Sequence, residues 1–449
     1  MKKRLQAPLV ELQILLRHLP AELLILLRRL LVGQKIRNLH LLAVRKIQNP
    51  HLLAEQKIRK QSKEARRQFR TSWRLCFYRE AFFSMKSYFA IQWHITDICD
   101  QRCKHCYIFS EGHPSLISMP FDDMVHVTDQ IIDFCDRINR APYIYLTGGD
   151  PILHPDFWRL LAYFHEKELR FCIMGNPFHL SADVCKRLHD LGCVKYQVSL
   201  DGLEETHDMF RKPGSFRATL EAIKLIKESG MWAAVMSTVS KTNCKEIPAL
   251  IDLVDELGVD VYAVGRYCPT SIEKAYDPDI HMTPQEYRAY LDECCERYTA
   301  HKDSKTTYQL KDHLWTLYQY EKGLFYPDET LPSNAIVDGC NCGRNHVTIL
   351  PTGAVYACRR MESEIGSVMN TSLYDLWTST RFDEYRQYDK FVKCNKCKLK
   401  AYCRGCPAVT YGCISELPVT NETTSRRNSS DRSKPVRTEY RETIFAQRS

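Results

Sequence analysis

Three cysteines, Cys99, Cys103 and Cys106, stand within eight consecutive positions in the segment CDQRCKHCY, residues 99–107. Thiolates bind zinc and iron–sulfur clusters. Structural zinc takes four ligands, usually in paired CxxC units, and this segment has only three cysteines. A cubane cluster held by three thiolates leaves one iron open to a further ligand. We therefore interpret the three cysteines as ligands of such a cluster, and expect His105, between two of them, to point to solvent.

A second group of eight cysteines occupies residues 340–413, namely Cys340, Cys342, Cys358, Cys394, Cys397, Cys403, Cys406 and Cys413. Eight thiolates are the number that ligates two cubanes fully. The CxxC pairs of this region are also typical of a zinc ribbon. Gly353 predicts a hairpin turn that directs Cys358 inward. We expect most of the nine remaining cysteines to be buried small hydrophobic residues: 76, 135, 172, 185, 193, 244, 268, 294 and 295.

The composition indicates a globular protein in a reducing compartment. The chain has 449 residues, 44% of them hydrophobic, which allows two or three domains. The longest purely apolar run near the N-terminus, LLILL at residues 23–27, is too short for a signal peptide or a transmembrane helix. We therefore predict a cytoplasmic protein without a membrane span. The net charge of +9 comes from Lys and Arg crowded at the two ends, so it does not indicate nucleic-acid binding by the middle of the chain.

Strand and helix patterns alternate through the middle of the chain. Apolar segments at 89–96, 143–147, 170–174, 195–200, 233–239 and 260–267 are typical of buried strands, and helical periodicity lies between them, as at 121–135 and 216–228. Six such βα units predict the α/β class, with a partial (β/α)6 TIM-like barrel. Ligands of these folds bind at the carboxyl ends of the strands. The first three cysteines follow the first strand and are therefore expected on that side.

The two ends of the chain differ from its middle. Residues 1–84 contain an eleven-residue repeat, QKIRNLHLLAV followed by RKIQNPHLLAE. This segment is either a basic amphipathic helix or an appendage outside the core, such as translated repetitive DNA before the true start, and we favour the appendage. Residues 415–449 are predicted to be a disordered tail. Between them we predict a catalytic core at 85–270, a helical linker at 271–335 and a cysteine-rich domain at 336–414.

CxxxCxxC followed by an aromatic residue, after the first strand of such a barrel, resembles the radical SAM superfamily. The resemblance covers roughly residues 86–415. It implies that the amino and carboxylate groups of S-adenosylmethionine (SAM) chelate the open iron of a [4Fe–4S] cluster. One-electron cleavage of SAM then yields a 5′-deoxyadenosyl radical that abstracts hydrogen from the substrate. Cys99, Cys103 and Cys106 would be the cluster ligands and the catalytic centre of this enzyme.

The same resemblance implies which residues bind SAM. TGGDP at 147–151 resembles the GGE segment that holds the SAM amino group, with an Asp in place of the family's Glu. MGNP at 174–177 stands where the family often has an Asn-Gly turn. The implied cofactor-binding residues are Tyr107 at the adenine, Gly148, Gly149 and Asp150 at the amino group, Ser199 at the ribose and Arg211 at the carboxylate. Core packing is the alternative for Tyr107.

The second cysteine group resembles the SPASM extension of radical SAM enzymes, which carries two auxiliary [4Fe–4S] clusters. Two spacings depart from that pattern. Cys340 and Cys342 are closer together than is usual, and the interval from Cys403 to Cys406 is one residue shorter than the common one. These departures leave open whether both Cys340 and Cys342 are ligands, or whether one auxiliary cluster has an open site.

SPASM enzymes mainly modify peptides and proteins, so the resemblance implies an oxidative maturase of a ribosomally made peptide, for example one that forms thioether crosslinks, of the type paired with ACGX cysteine-repeat precursors. The expected partners are the peptide, a reductant such as flavodoxin or ferredoxin, and a separate leader-binding protein. Sulfatase maturation is disfavoured, because Arg359 and Arg360 stand where those enzymes carry an Asp. A cofactor-biosynthesis radical SAM enzyme and a non-catalytic iron–sulfur electron carrier remain as alternatives.

Overall fold

The computed structural model describes residues 87–109, 116–269, 277–387, 392–406 and 408–409. The predicted N-terminal extension, the predicted tail, Cys76 and Cys413 lie outside these described residues. Within the described part, no helix combines the length and the apolar character that crossing a membrane requires.

Ten strands form one sheet, and their bounds are β1 (Tyr88–Thr96), β2 (Ala141–Gly148), β3 (Phe171–Met174), β4 (Cys193–Ser199), β5 (Trp232–Val239), β6 (Val261–Arg266), β7 (Thr307–Leu310), β8 (His346–Ile349), β9 (Ala354–Tyr356) and β10 (Glu364–Ser367). Their order across the sheet is β10-β9-β8-β1-β2-β3-β4-β5-β6-β7. Strands β1 to β6 therefore lie side by side in chain order. All of their pairings are parallel, as the alternating pattern predicts for an α/β barrel-like fold.

Helices connect these parallel strands. Their bounds are α1 (Phe121–Arg137), α2 (Phe157–Glu166), α3 (Ala182–Asp190), α4 (Glu204–Phe210), α5 (Ser215–Glu228), α6 (Ile247–Glu256), α7 (Pro284–Ala300), α8 (Leu314–Glu321), α9 (Leu373–Thr378), α10 (Thr380–Asp383) and α11 (Val392–Asn395). Short 3₁₀ turns cover Pro151–Leu153 and Glu384–Arg386. Thr283 begins α7 with a capping box, in which its hydroxyl accepts from the amide of Glu286 and the Glu286 side chain accepts from the amide of Thr283.

The segment predicted as a helical linker, 271–335, also contains a strand. It holds α7 and α8, but β7 lies between them and pairs in parallel with β6, with Val261 opposite Thr307. Four residues of TYQL are too few for the two-residue alternation of a strand to be recognised beside two helical segments. The parallel sheet therefore has one more strand on this side than the sequence predicts.

The cysteine-rich region joins the same sheet on its other side. Strand β8 pairs in parallel with β1, with Ala90 opposite His346, and β9 and β10 follow it antiparallel. The predicted hairpin is present between β8 and β9, where Gly353 adopts φ +80°, a conformation that favours glycine. The region that contains the second cysteine group therefore extends the central sheet next to β1.

The two faces of β1 differ in character. Phe89, Ile91, Trp93 and Ile95 are fully buried in the main hydrophobic core, where the ring of Phe89 meets that of Phe134 in α1 at 4.9 Å. Side chains alternate along a strand, so the residues between these face the other side of the sheet. That side carries polar groups, among them the buried His94.

Candidate active site

The loop that carries the first three cysteines follows β1 and is fastened to the end of β2 by backbone hydrogen bonds. The amide of Gly149 donates to Thr96 O at 2.8 Å, and the amide of Asp150 donates to Ile98 O at 2.8 Å. A Cβ atom at position 149 would lie 2.3 Å from Ile98 O, which is closer than non-bonded atoms allow. The second glycine of TGGDP is therefore required for this contact between the two loops.

Cys99, Cys103 and Cys106 are all half-buried in this loop. The amide of Gln101 donates to Cys99 Sγ at 3.4 Å, and the amide of Cys106 donates to Cys103 O at 3.0 Å. Burial raises the pKa of Cys99 to about 11 and also raises the pKa of Cys103. These two thiols are therefore protonated near neutral pH unless a metal binds them, because coordination to a metal deprotonates a thiol.

Arg211 contacts this loop and is held by a buried acid. Its Nη1 donates to Cys103 Sγ at 3.6 Å, and its Nε donates to Asp201 Oδ2 at 2.7 Å. Burial raises the pKa of Asp201, but the Arg211 guanidinium, His105 and the backbone amide of Thr238 together outweigh that effect and hold the pKa below its usual value. Asp201 is fully buried and was not among the predicted site residues, because an Asp-Gly pair after a strand is typical of a turn.

The prediction that His105 points to solvent is wrong. Its Nε2 lies 3.5 Å from Asp201 Oδ2, and its side chain is only 14% exposed. The imidazole packs against the ring of Phe210 with an edge contact of 5.4 Å. The aromatic neighbour and the buried carboxylate account for its inward position.

Asp150 is buried at the carboxyl end of β2, and neither of its carboxylate oxygens has a hydrogen-bond partner among the described residues. Burial raises its pKa to about 7, and the nearby backbone amides of Ile152 and Asn176, which do not reach hydrogen-bond geometry, only partly oppose that rise. Ligand atoms of Asp150, Asp100 and His179 all lie within 4.8 Å of one another. A buried carboxylate without partners has a strong preference for a donor or a cation. The site therefore fits the amino group of SAM, which can supply N–H donors.

The remaining predicted SAM-binding segments reach the same end of the sheet. Asn176 of MGNP donates from Nδ2 to Asp100 Oδ1 at 2.7 Å, and its backbone carbonyl accepts from Tyr196 OH at 3.1 Å. Ser199 is the last residue of β4 and is half-buried beside Met236 of β5. Their proposed contacts with SAM stay predictions.

Tyr107 lies between the cysteine loop and the second cysteine group. The guanidinium carbon of Arg359, the residue after Cys358, stands 4.7 Å from the centre of the Tyr107 ring. The centre of the His94 ring lies 6.3 Å from the centre of the Tyr107 ring. Burial lowers the pKa of His94 well below its usual value, and Arg359 lowers it further, so His94 is neutral at pH 7. Tyr107 thus takes part in a polar contact between two regions that are distant in the sequence.

Four cysteines of the second group, Cys340, Cys342, Cys358 and Cys406, form a four-cysteine group that is linked by electrostatic interactions. Burial raises the pKa of Cys340 to about 12, with further contributions from the thiols of Cys406 and Cys358. The pKa of Cys342 is also raised by burial and then by Cys358, Cys340 and Cys406. The thiols of Cys358 and Cys406 therefore act electrostatically on both Cys340 and Cys342. The assignment of these four cysteines as ligands of one cubane stays a prediction.

Arg404 ties the CRGC segment to this four-cysteine group. It adopts φ +45°, and its side chain is 4% exposed. Its Nη1 donates to Asp338 O at 2.7 Å, and its Nη2 donates to Cys340 O. A buried guanidinium that donates to two carbonyls fixes the position of the Cys340 segment relative to Cys403 and Cys406.

Cys268 interacts electrostatically with two thiols of the four-cysteine group, although the sequence predicts only a buried small residue there. It follows β6, and its Sγ donates to Ala408 O at 2.8 Å and to Arg360 O at 3.4 Å. Burial raises its pKa to about 12, and Cys406 and Cys358 contribute to that rise. Cys268 is far from the other clustered cysteines in the sequence, so its position in the chain does not predict this interaction.

The other cysteines of the second group lie in a short turn region. The amide of Cys397 donates to Cys394 O at 3.1 Å, and Cys397 Sγ accepts from the amide of Leu399 at 3.4 Å. Cys403 Sγ donates to His313 O at 3.2 Å. Their predicted fourth partner, Cys413, lies outside the described residues, so this ligand set stays a prediction.

Known proteins resemble the chain in both regions. Residues 93–254 match the radical SAM superfamily, and residues 340–407 match SPASM, an iron–sulfur cluster-binding domain. AdoMet-dependent heme synthase of Methanosarcina barkeri is 27% identical over 73% of this chain and 93% of its own length. Mycofactocin maturase MftC of Mycobacterium ulcerans is 26% identical over 70% of this chain and 81% of its own.

Solved structures share the fold at low sequence identity. Streptococcus suis SuiB bound to S-adenosylmethionine has a TM-score of 0.57 and 16% identity, over 72% of this chain and 74% of that chain. The enzyme anSMEcpe with bound AdoMet has a TM-score of 0.58 and 14% identity, over 73% of this chain and 95% of that chain. These likenesses show a common fold.

Proposed function

Because this chain is a radical SAM enzyme with a C-terminal SPASM iron–sulfur domain, we propose that it uses SAM to oxidise a ribosomally made peptide, for example by closing a thioether crosslink. Its cofactors are SAM, the [4Fe–4S] cluster that binds SAM and auxiliary iron–sulfur clusters. When bound, they supply one-electron cleavage of SAM, abstraction of a hydrogen atom from the substrate and a route for electrons.

The contact between Arg359 and Tyr107 is the observation that supports an oxidation most directly. Tyr107 follows Cys106, Arg359 follows Cys358, and the two side chains stack at 4.7 Å. This contact between the residues that follow Cys106 and Cys358 supports an auxiliary cluster on the same side of the sheet as the first cluster. A substrate that has lost a hydrogen atom must lose a further electron and a proton before a crosslink can close. An auxiliary cluster held by Cys340, Cys342, Cys358 and Cys406 would supply an acceptor for that electron.

This chain's own residues would hold the cofactor and exclude water. Cys99, Cys103 and Cys106 are the proposed ligands of the first cluster. The buried Asp150 would accept N–H groups of the SAM amino group, and Arg211 would place a positive charge beside the SAM carboxylate. Cys340, Cys342, Cys358 and Cys406 are proposed to ligate one auxiliary cluster, and Cys394, Cys397, Cys403 and Cys413 the second.

Oxidation of a tetrapyrrole is the second candidate function. The observation that favours it is the length of the match to AdoMet-dependent heme synthases, which reaches 93% and 88% of those proteins. The peptide is favoured by mycofactocin maturases, which match over 81% and 77% of their length. Sulfatase maturation is disfavoured by Arg359, and the enzyme relatives disfavour an electron carrier without catalysis. A flavodoxin or ferredoxin reductant and a separate leader-binding protein are the proposed partners.

Mass spectrometry of substrates after anaerobic turnover tests the proposal. The reconstituted enzyme is incubated with dithionite, SAM and cysteine-rich peptides encoded beside its gene. It is incubated separately with Fe-coproporphyrin III, the tetrapyrrole named for another relative, the Fe-coproporphyrin III synthase of Methanosarcina barkeri. We expect a peptide to lose about 2 Da per modification, the mass of two hydrogens, with one 5′-deoxyadenosine formed for each.

The matched control is the Cys99→Ala, Cys103→Ala, Cys106→Ala triple variant, which should form no 5′-deoxyadenosine with any substrate. If Fe-coproporphyrin III is converted and every peptide is left unchanged, the substrate is a tetrapyrrole and the peptide proposal is wrong. A triple variant that cleaves SAM at the wild-type rate would refute the assignment of the catalytic cysteines.

A further inference from the structure

Arg359, the residue after Cys358, is a cation for which the described residues supply no carboxylate partner. Its guanidinium lies over the Tyr107 ring, and its Nε is buried without a hydrogen-bond partner. No carboxylate among the described residues forms an ion pair with it. Other arginines near the strand ends are paired: Arg211 lies 2.7 Å from Asp201, and Arg266 lies 2.8 Å from Asp312.

His94 adds a second unused donor beside the same tyrosine. It is fully buried on β1, and Gln92 Nε2 donates to its Nε2 at 3.3 Å. Because Nε2 accepts that hydrogen bond, the proton of the neutral ring is on Nδ1. Nδ1 has no partner among the residues that the structure describes. Two unsatisfied donors, one of them charged, therefore flank Tyr107.

Such an arrangement fits a carboxylate. A guanidinium presents parallel N–H groups that match the two oxygens of a carboxylate, and stacking on an aromatic ring leaves its edge available for that contact. One positive charge with one neutral donor balances a single negative charge. The position also suits a substrate, since Tyr107 directly follows the cysteine loop.

We propose that Arg359, with His94 beside it, binds a carboxylate of the substrate and so positions the neighbouring carbon over the cysteine loop. This inference rests on the proposed function and deepens it, because it specifies an anionic substrate. The carboxylate belongs either to a peptide, at its C-terminus or on an acidic side chain, or to a propionate of a tetrapyrrole.

The first experiment measures binding without turnover. Propionate labelled with ¹³C at its carboxyl carbon is added to the cluster-loaded, reduced enzyme, and paramagnetic relaxation of its signal reports binding near a cluster. Propionamide, which has the same shape without the charge, is the matched ligand. We expect the wild-type enzyme to accelerate relaxation of the propionate signal. In Arg359→Gln this acceleration should be weaker by roughly 10-fold or more, because a charge-assisted contact is lost.

Two further variants separate charge from structure. Arg359→Lys keeps the charge and should retain part of the effect, and Arg217→Gln, on the exposed face of α5, should retain all of it. Iron content is measured for each variant. If a variant does not bind its clusters, the comparison of propionate with propionamide on the wild-type enzyme tests the inference instead. Equal relaxation of propionate and propionamide, or an unchanged signal in a loaded Arg359→Gln variant, would overturn the inference.

The second experiment identifies the source of the carboxylate. With a peptide that is turned over, Arg359→Gln should raise KM by roughly 10- to 100-fold and change kcat much less, and amidation of the recognised carboxylate should have the same effect on the wild type. With Fe-coproporphyrin III as substrate, the KM of the same variant tests whether Arg359 binds a propionate of the tetrapyrrole. If a substrate is oxidised with an unchanged KM in the variant, the inference fails and the proposed function stands. If propionate binds at Arg359 but no peptide is oxidised, only the proposed function fails.

Discussion

Asp150 and Asp201 are two buried carboxylates at the same end of the sheet, and their surroundings shift their pKa values in opposite directions. Arg211, with His105 and the amide of Thr238, lowers the pKa of Asp201 despite its burial, whereas burial raises the pKa of Asp150 to about 7. Asp201 therefore stays ionised as a fixed support for Arg211. Asp150 is costly to ionise until a ligand supplies donors, which is typical of a binding group.

Asp150→Asn should stabilise the SAM-free protein at alkaline pH. The folded-state pKa of about 7 lies above the usual 3.8, so the folded state retains a proton that the unfolded state releases. The wild-type protein therefore loses stability as pH rises from about 4 to about 7. The gain in free energy of unfolding from Asp150→Asn should be larger at pH 8 than at pH 5.5 by about 2 kcal/mol.

Anaerobic denaturant titration of both proteins, loaded with clusters but free of SAM, measures this difference. The same variant should bind SAM more weakly than the wild type, as equilibrium dialysis would show. An advantage of Asp150→Asn that is equal at both pH values would contradict the elevated pKa.

Asp201→Asn should destabilise the protein, because it leaves the positive charge of Arg211 without its partner. Removing one member of a buried ion pair costs roughly 3–5 kcal/mol. Denaturant titration measures the loss, with Glu204→Gln as the matched control, since Glu204 forms an exposed pair with Arg217 at 2.5 Å and such pairs contribute about 0–1 kcal/mol. Similar losses of unfolding free energy in the two variants would show that the buried Asp201–Arg211 pair stabilises the protein no more than the exposed pair does.

At the scale of elements, the parts of the fold that follow hydrophobic periodicity could be predicted from the sequence. The six strands of the barrel were expected within two residues of their observed ends, because each is a buried run flanked by helical patterns. Strand β7 could not be predicted, because four residues are too few to show the two-residue hydrophobic period of a strand. Asp201, His105 and Cys268 depend on contacts between distant elements, and nothing in their local sequence distinguishes them from turn or core residues.

Gly149→Ala should remove the first cluster and leave the auxiliary clusters. The added methyl group would lie 2.3 Å from Ile98 O and 2.6 Å from Asp97 O, so the cysteine loop would have to leave the end of β2. Iron content should fall from about twelve to about eight per chain if three cubanes are present. Gly214→Ala is the control, because its methyl group meets no atom within 4 Å although the backbone is at φ +79°. An equal loss of iron in both variants would point to general destabilisation.

At the scale of the whole molecule, the predicted load of three cubanes is tested by counting metal. The anaerobically reconstituted wild-type protein should hold about twelve irons per chain. The Cys99, Cys103 and Cys106 triple Ala variant should hold about eight of them, bound in the 340–413 region. About four irons with stoichiometric zinc would show that the second cysteine group is a zinc site.

Removing residues 336–449 should make the remaining barrel aggregate. The truncation takes away β8, which pairs with β1 along Ala90 to Trp93, and it also removes Leu373, whose amide donates to Gln130 of α1 at 3.1 Å. An unpaired strand edge invites association with other chains. Light scattering of the purified fragment measures this, beside the full chain as control. A monomeric, soluble fragment would show that β1 tolerates an open edge.

The pairing of β1 with β8 also sets the order of events when the protein is made on a ribosome. Strand β1 emerges early, and its neighbour on one side, β2, follows soon after. Its other neighbour must wait until His346 opposite Ala90 has been synthesised. Synthesis at about 5–20 residues per second leaves that edge exposed for at least ten seconds or so. The nascent chain is therefore a natural client for a chaperone that shields strand edges, and slow translation should lower the yield of folded protein.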